Sequence, residues 1–216
     1  MVIKTRISIK TIYTTISFLI IMSLAFAILR SIFNENWIIL FVSTIVLALT
    51  TLPILIRKKT KLKIPLEIEL LTVIFIYATL FLGEVHDFYN IFPWWNILLH
   101  TGSAIVFGFI GFTVLYLMYS QREVNAKPLA IAIFSFSFAI AIGAIWEIFE
   151  FSMDQFLGLN MQKSGLIDTM WDLIVDTFGA ILASTIGFIY FKTKKSFIFD
   201  KILEKAKKEN PKLFKK

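Results

Sequence analysis

The sequence predicts an all-α fold, a polytopic membrane helix bundle of six transmembrane helices with both termini cytoplasmic, and three observations carry that expectation. Of 216 residues, 57% are hydrophobic and only 17% charged, with a mean hydropathy of +0.78; a water-soluble domain of this size rarely needs so much apolar sequence. The apolar residues arrive in runs of about 20, the length with which a helix crosses a hydrocarbon core of about 30 Å. When these runs are threaded alternately, 20 of the 22 Lys and Arg residues fall on one side, as the positive-inside rule requires.

The first span, 11–33, follows Lys4, Arg6 and Lys10. Ala25-Phe26-Ala27 near its end raises the question of a cleavable signal peptide, but an apolar core of about 20 residues is long for one and favours an uncleaved helix. The second span, 37–56, opens on Trp37 and ends at the basic run Arg57-Lys58-Lys59-Thr60-Lys61-Leu62-Lys63. The third, 66–82, leads into an outer loop holding Glu84, His86 and Asp87, for which a solvated loop is the simplest reading. The fourth, 96–119, follows Trp94 and Trp95, rings that favour the membrane boundary. The fifth and sixth, 128–153 and 168–191, complete a single domain over 1–191. The remaining 192–216 is a basic cytoplasmic tail in which Phe197, Ile198, Phe199, Ile202 and Leu203 alternate with lysines. It could lie as a helix on an anionic inner leaflet or remain a solvated tail.

This layout places the chain in the cell (inner or plasma) membrane as a multi-pass protein whose first partner is the lipid bilayer. The basic residues follow topology and form no patch interleaved with stacking aromatics, which argues against nucleic acid. With no cysteine, disulfides, thiolate metal sites, iron–sulfur clusters and cysteine nucleophiles are excluded.

Eight of the 15 acids, and both histidines, gather in or beside the outer ends of spans three to six. Glu147, Glu150 and Asp154 stand at i, i+3 and i+7, within about 60° of one helical face. Asp168, Asp172 and Asp176 repeat every fourth residue, and the same face continues as Gly179, Ala183 and Gly187. A stripe of small residues admits a neighbouring helix, so this face should point into the bundle. His100 and Ser103 share a face of span four. At about 1.5 Å per residue these groups lie at similar depths, which predicts one acidic pocket opening to the outer face.

The segments Leu99-His100-Thr101-Gly102-Ser103, Ala144-Ile145-Trp146-Glu147-Ile148-Phe149-Glu150-Phe151 with Asp154, Asn160-Met161-Gln162, and Asp168-Thr169-Met170-Trp171-Asp172-Leu173-Ile174-Val175-Asp176-Thr177-Phe178-Gly179-Ala180 together resemble the YjdF-like family of uncharacterised prokaryotic inner-membrane proteins. The likeness covers roughly 82–187 and implies a small multi-helix membrane protein with no established reaction. More distantly, an acidic span, a glutamine and Asp-x-x-x-Asp-x-x-Gly-Ala resemble the VanZ-like proteins associated with glycopeptide resistance. The connection between spans five and six is longer here and carboxylates are added, so that role is not carried over. The Asp168, Asp172, Asp176 repeat also approaches the CDP-alcohol phosphotransferase signature, but Ser164 stands where a glycine is wanted and the Asp-x-x-Asp-Gly half is missing. A di-iron bundle would need Glu-x-x-His on two helices.

Crowded carboxylates in an apolar pocket cannot all stay ionised, and a cation removes the penalty. The expected cofactor is therefore a divalent metal cation, with His100, Glu147, Glu150, Asp154, Asp168, Asp172 and Asp176 as candidate ligands and Ser103 and Gln162 as supporting partners. Oxygen ligands point to Mg²⁺, Ca²⁺ or Mn²⁺, and a contribution from His100 shifts the balance toward Mn²⁺, Zn²⁺ or Fe²⁺. Metal-dependent hydrolysis or transfer on a lipid-like substrate, its headgroup entering from the outer leaflet, would use Glu147 and Asp172 as catalytic groups. No lysine or arginine is expected in the pocket. Two alternatives stay open. One is a proton or cation transporter. The other is a non-catalytic network in which the acids bond to Ser103, Thr169, Gln162 and the indoles of Trp146 and Trp171.

Overall fold

The computed structural model describes residues 8–59, 66–120 and 122–193, with Glu204 and Lys208. Seven α-helices account for most of them: α1 (Ile9–Phe33), α2 (Trp37–Lys59), α3 (Leu66–Ile76), α4 (Phe88–Ile91), α5 (Trp94–Ser120), α6 (Pro128–Leu157) and α7 (Leu166–Thr193). A π-helical segment, Tyr77–Val85, continues α3. No strand occurs among the described residues. Lys192 and Thr193, expected to open the tail, close α7 instead, and most of the remaining tail and most of the basic residues that set the predicted orientation lie outside the described residues.

Five helices are long and apolar enough to cross a membrane: Ile9–Phe33, Leu66–Val85, Trp94–Tyr119, Pro128–Leu157 and Leu166–Thr193. The expected second span is shorter in its apolar part, Trp37–Pro53. At about 1.5 Å per residue that stretch covers about 25 Å, slightly less than a hydrocarbon core. Helix boundaries also extend past the sequence expectation. The fourth span begins two residues earlier, at Trp94, and α6 continues to Leu157, where Gly158 at φ 65° returns its N–H to the Asp154 carbonyl as a left-handed cap.

Contacts divide the described helices into two compact units. The first runs through α4. Its core is Ile20, Leu24, Val46, Val73 and Phe81, and a hydrogen bond between Ser23 Oγ and Tyr77 Oη (3.0 Å) ties α1 to the π-helical segment. Tyr89 Oη donates to the Thr79 carbonyl of that segment (3.3 Å). Glu69, in the first turn of α3, is 1% exposed, where the amino-terminal end of a helix favours negative charge.

The second unit holds α5, α6 and α7, which pack on one another pairwise. Small residues make this possible. A Cβ on Gly179 would overlap the Thr101 carbonyl oxygen and Ala104, and one on Gly108 would overlap Ala183. The stripe Gly179, Ala183, Gly187 is buried, while Ile174, Phe178, Ile181, Leu182 and Ile189 of the same helix are exposed. Buried Ser135 donates across to the Gly108 carbonyl (2.7 Å), so even the apolar part of the interface carries one directional bond. Polar groups inward and large apolar groups outward is the arrangement a lipid solvent selects.

Gly179→Val should therefore destabilise the protein by about 1–3 kcal/mol, because the obstacle is backbone that cannot turn aside. Gly102→Ala, which meets nothing within 4 Å, should stay within about 0.5 kcal/mol of the parent. Thermal unfolding in detergent compares the two; equal losses would contradict the packing described.

Candidate metal centre

The amino-terminal parts of α5 and α7 and the carboxy-terminal part of α6 each contribute acid or base to one buried cluster. Asn96 and His100 stand one turn apart on α5, Glu147 and Glu150 on α6, and Asp172 and Asp176 on α7. The spacings of three and four place each pair on a single face. His100 is 8% exposed, Glu147 5%, Glu150 8%, Asp172 2% and Asp176 1%.

His100 is the hub. Its Nδ1 lies 3.4 Å from Asp176 Oδ1 and 4.0 Å from Glu147 Oε1, and its Nε2 lies 3.7 Å from Asp172 Oδ2. One ligand atom each from His100, Glu147 and Asp172 fall within 4.8 Å of one another. Both oxygens of Glu147, both of Asp176 and Oδ2 of Asp172 are buried without a well-formed hydrogen bond among the described residues, although Thr169 stands near enough to act on Glu147 and the His100 ring on Asp176. Leaving a buried polar group unsatisfied costs about 1–3 kcal/mol, and more if it is charged. Three carboxylates, each with one oxygen 3.4–4.0 Å from an imidazole nitrogen, thus make a strong electrostatic demand for positive charge.

The other predicted residues have different surroundings. Glu150 accepts from the indole Nε1 of Trp146 (2.9 Å). Half-buried Asp154 accepts from the backbone N–H groups of Met161 (2.6 Å) and Gln162 (2.9 Å), so both its oxygens hold the connection between α6 and α7. Gln162 Nε2 donates to Thr169 Oγ1 (2.6 Å), extending the same connection onto the first turn of α7. Ser103 Oγ donates to the His100 carbonyl (2.8 Å), a bond within α5. Asp168 is half-buried, and Lys163 lies near enough for both its charge and its backbone N–H to act on that carboxylate. A lysine therefore stands beside the acidic group where none was expected. The indole of Trp171, also expected as a partner, belongs to a residue 62% exposed.

One participant was not foreseen. Asn96 Nδ2 donates to Asp172 Oδ1 at 2.6 Å. Its spacing of four from His100 is the signal that could have found it, since both side chains leave the same face of α5.

Asp154→Ala should loosen the α6–α7 connection, with faster amide hydrogen exchange at Met161 and Gln162 and a loss of about 1–3 kcal/mol in local protection. Unchanged exchange at these two amides would show that the carboxylate does not hold the loop.

Comparison with known proteins adds a family and a relative. A family model described as a predicted membrane protein (DUF2238) matches residues 12–193. A Thermotoga maritima chain described as an uncharacterized protein is 27% identical over 147 residues, 68% of this chain and 73% of the Thermotoga one. No solved structure matches.

Proposed function

We propose, for a chain that belongs to the DUF2238 family of predicted membrane proteins, that the cluster on α5, α6 and α7 is a divalent-cation centre serving metal-dependent hydrolysis or transfer on a lipid-like substrate. His100, Glu147 and Asp172 are the ligands, with Asp176 beside them as a fourth. The observation that carries this reading is the set of three buried carboxylates, none with a well-formed hydrogen bond on the oxygen it turns toward one imidazole. At metal–ligand distances of about 2.0–2.2 Å, tetrahedral ligand atoms stand about 3.3–3.6 Å apart, so the three side chains would draw in by about 1 Å from the 4.8 Å spread to form the site.

An imidazole among carboxylates suits Mn²⁺ or Zn²⁺ better than Mg²⁺ or Ca²⁺, which prefer oxygen alone. Such a cation supplies Lewis acidity toward a phosphoryl or carbonyl oxygen and toward water. Glu150, held by Trp146 and adjoining Glu147 on the same face, is placed to exchange a proton with a reacting group. Asp154 and Gln162 shape the entrance rather than ligate. Lys163 beside Asp168 offers an anionic headgroup a counter-charge at that entrance. The fuller topology belongs to the same proposal: six spans in the cell membrane, both termini cytoplasmic, the centre facing outward.

A second reading is favoured by one feature. Carboxylates flank both nitrogens of His100, an arrangement that holds a proton on the ring as readily as it holds a metal, and intramembrane His and acid chains serve proton relays. Proton or cation passage is therefore the alternative function.

Elemental analysis of the detergent-purified protein should find about one bound transition-metal ion per chain. Asp172→Asn and Glu147→Gln should each weaken binding by more than about 100-fold, since losing a ligand exceeds the effect of losing an outer partner. A well-folded, metal-free protein after Mn²⁺ and Zn²⁺ loading would overturn the metal reading. Cation or proton flux in proteoliposomes, abolished by His100→Ala, would establish the alternative.

A further inference from the structure

We propose that Asn96 is a positioning residue that fixes Asp172 as a ligand through Oδ2 alone, an inference that rests on the metal reading above. Asn96 occupies the first turn of α5 and His100 the next, so one helical face delivers a ligand and, a turn nearer the helix start, an amide. The amide Nδ2 donates to Asp172 Oδ1 at 2.6 Å, a short bond for a nitrogen donor. The other oxygen, Oδ2, is buried without a hydrogen bond and stands 3.7 Å from His100 Nε2.

The two oxygens of Asp172 are therefore not equivalent. Oδ1 is committed to α5, and Oδ2 is offered to the centre. Glu147 makes the contrast, since neither of its buried oxygens has a bond as short as the one from Asn96, and Thr169 acts on its carboxylate only from a longer range. A carboxylate without the Asn96 bond can rotate about its last torsion and present either oxygen or both. With the bond it presents one, in a fixed direction. The result is one-oxygen ligation by Asp172. Hydrogen bonds to ligating carboxylates commonly change metal affinity by about 10–100-fold. The same bond joins α5 to α7 directly at the level of the centre, so the imidazole and the carboxylate are aligned by a single contact.

The test uses the full chain in detergent and two probe ions. Mn²⁺ affinity by equilibrium dialysis should fall about 10–100-fold in Asn96→Ala, and further in Asn96→Asp, which keeps the shape but replaces the donor with a negative charge. Thermal unfolding of the unliganded Asn96→Ala protein should come at a lower temperature than the parent's, because Oδ1 of Asp172 loses its donor, so the ions are compared at a temperature where both proteins are folded. Co²⁺ gives the signature that a merely structural residue would not move: its visible bands should weaken in Asn96→Ala, as they do when a second carboxylate oxygen joins and coordination rises. If Asn96→Ala does not fold, Asn96→Ser, which keeps a shorter polar group, is measured in the same way. Parent-like Mn²⁺ affinity and Co²⁺ bands in the variants, with the parent binding both ions, would overturn the role of Asn96 and leave the metal centre standing. A parent that binds neither ion would instead remove the reading beneath it.

Discussion

Negative charge that has been taken out of water has to be answered where it lies, and in this chain it lies around one imidazole. Glu147, Asp172 and Asp176 approach His100 from two other helices to within 3.4–4.0 Å. The exterior of those helices is apolar and exposed, suited to lipid. Inserting an acid near mid-bilayer costs about 2.5–3.5 kcal/mol. A chain that gathers several must offset that cost by a proton or a cation, and both options are available to a cluster with an imidazole at its hub.

The packing of α5, α6 and α7 follows from the same need. Carboxylates can meet only if the helices that carry them come close, and here glycines set the separation. A Cβ on Gly143 would collide with the Asp176 carboxylate, and one on Gly179 with the backbone of α5 at Thr101. Directional bonds then hold what the close approach allows: Ser135 to Gly108 in the apolar part, Asn96 to Asp172 at the cluster, and the Asp154 carboxylate on the α6–α7 connection.

Much of this was legible before any coordinates. Helical period alone put Glu147 with Glu150 and Asp172 with Asp176, and the small-residue stripe on α7 gave the direction in which that face points. The less legible parts share a physical reason: they depend on irregular backbone or on chain partners that periodicity does not specify. Asp154 continues the acidic stripe of α6 by spacing, yet the turn after Gly158 brings two backbone N–H groups onto it. Trp171 sits between acids in sequence but leaves α7 about 100° around from Asp172 and is exposed. The chain bends back at 158–165, which sets Lys163 beside Asp168. Glu69 stands in the first turn of an apolar helix, where period does not separate a boundary acid from a buried one, and it is buried. The π-helical segment Tyr77–Val85 has no sequence period of its own that would separate it from the α-helix it continues.

The central claim is spatial, so position is what tests it most directly. Crystals of the full chain grown with Mn²⁺ and measured at the manganese absorption edge should show one anomalous peak about 2.0–2.3 Å from His100, Glu147 and Asp172. A peak elsewhere with those three side chains apart, or no peak while the carboxylates remain drawn in on His100, would contradict the account.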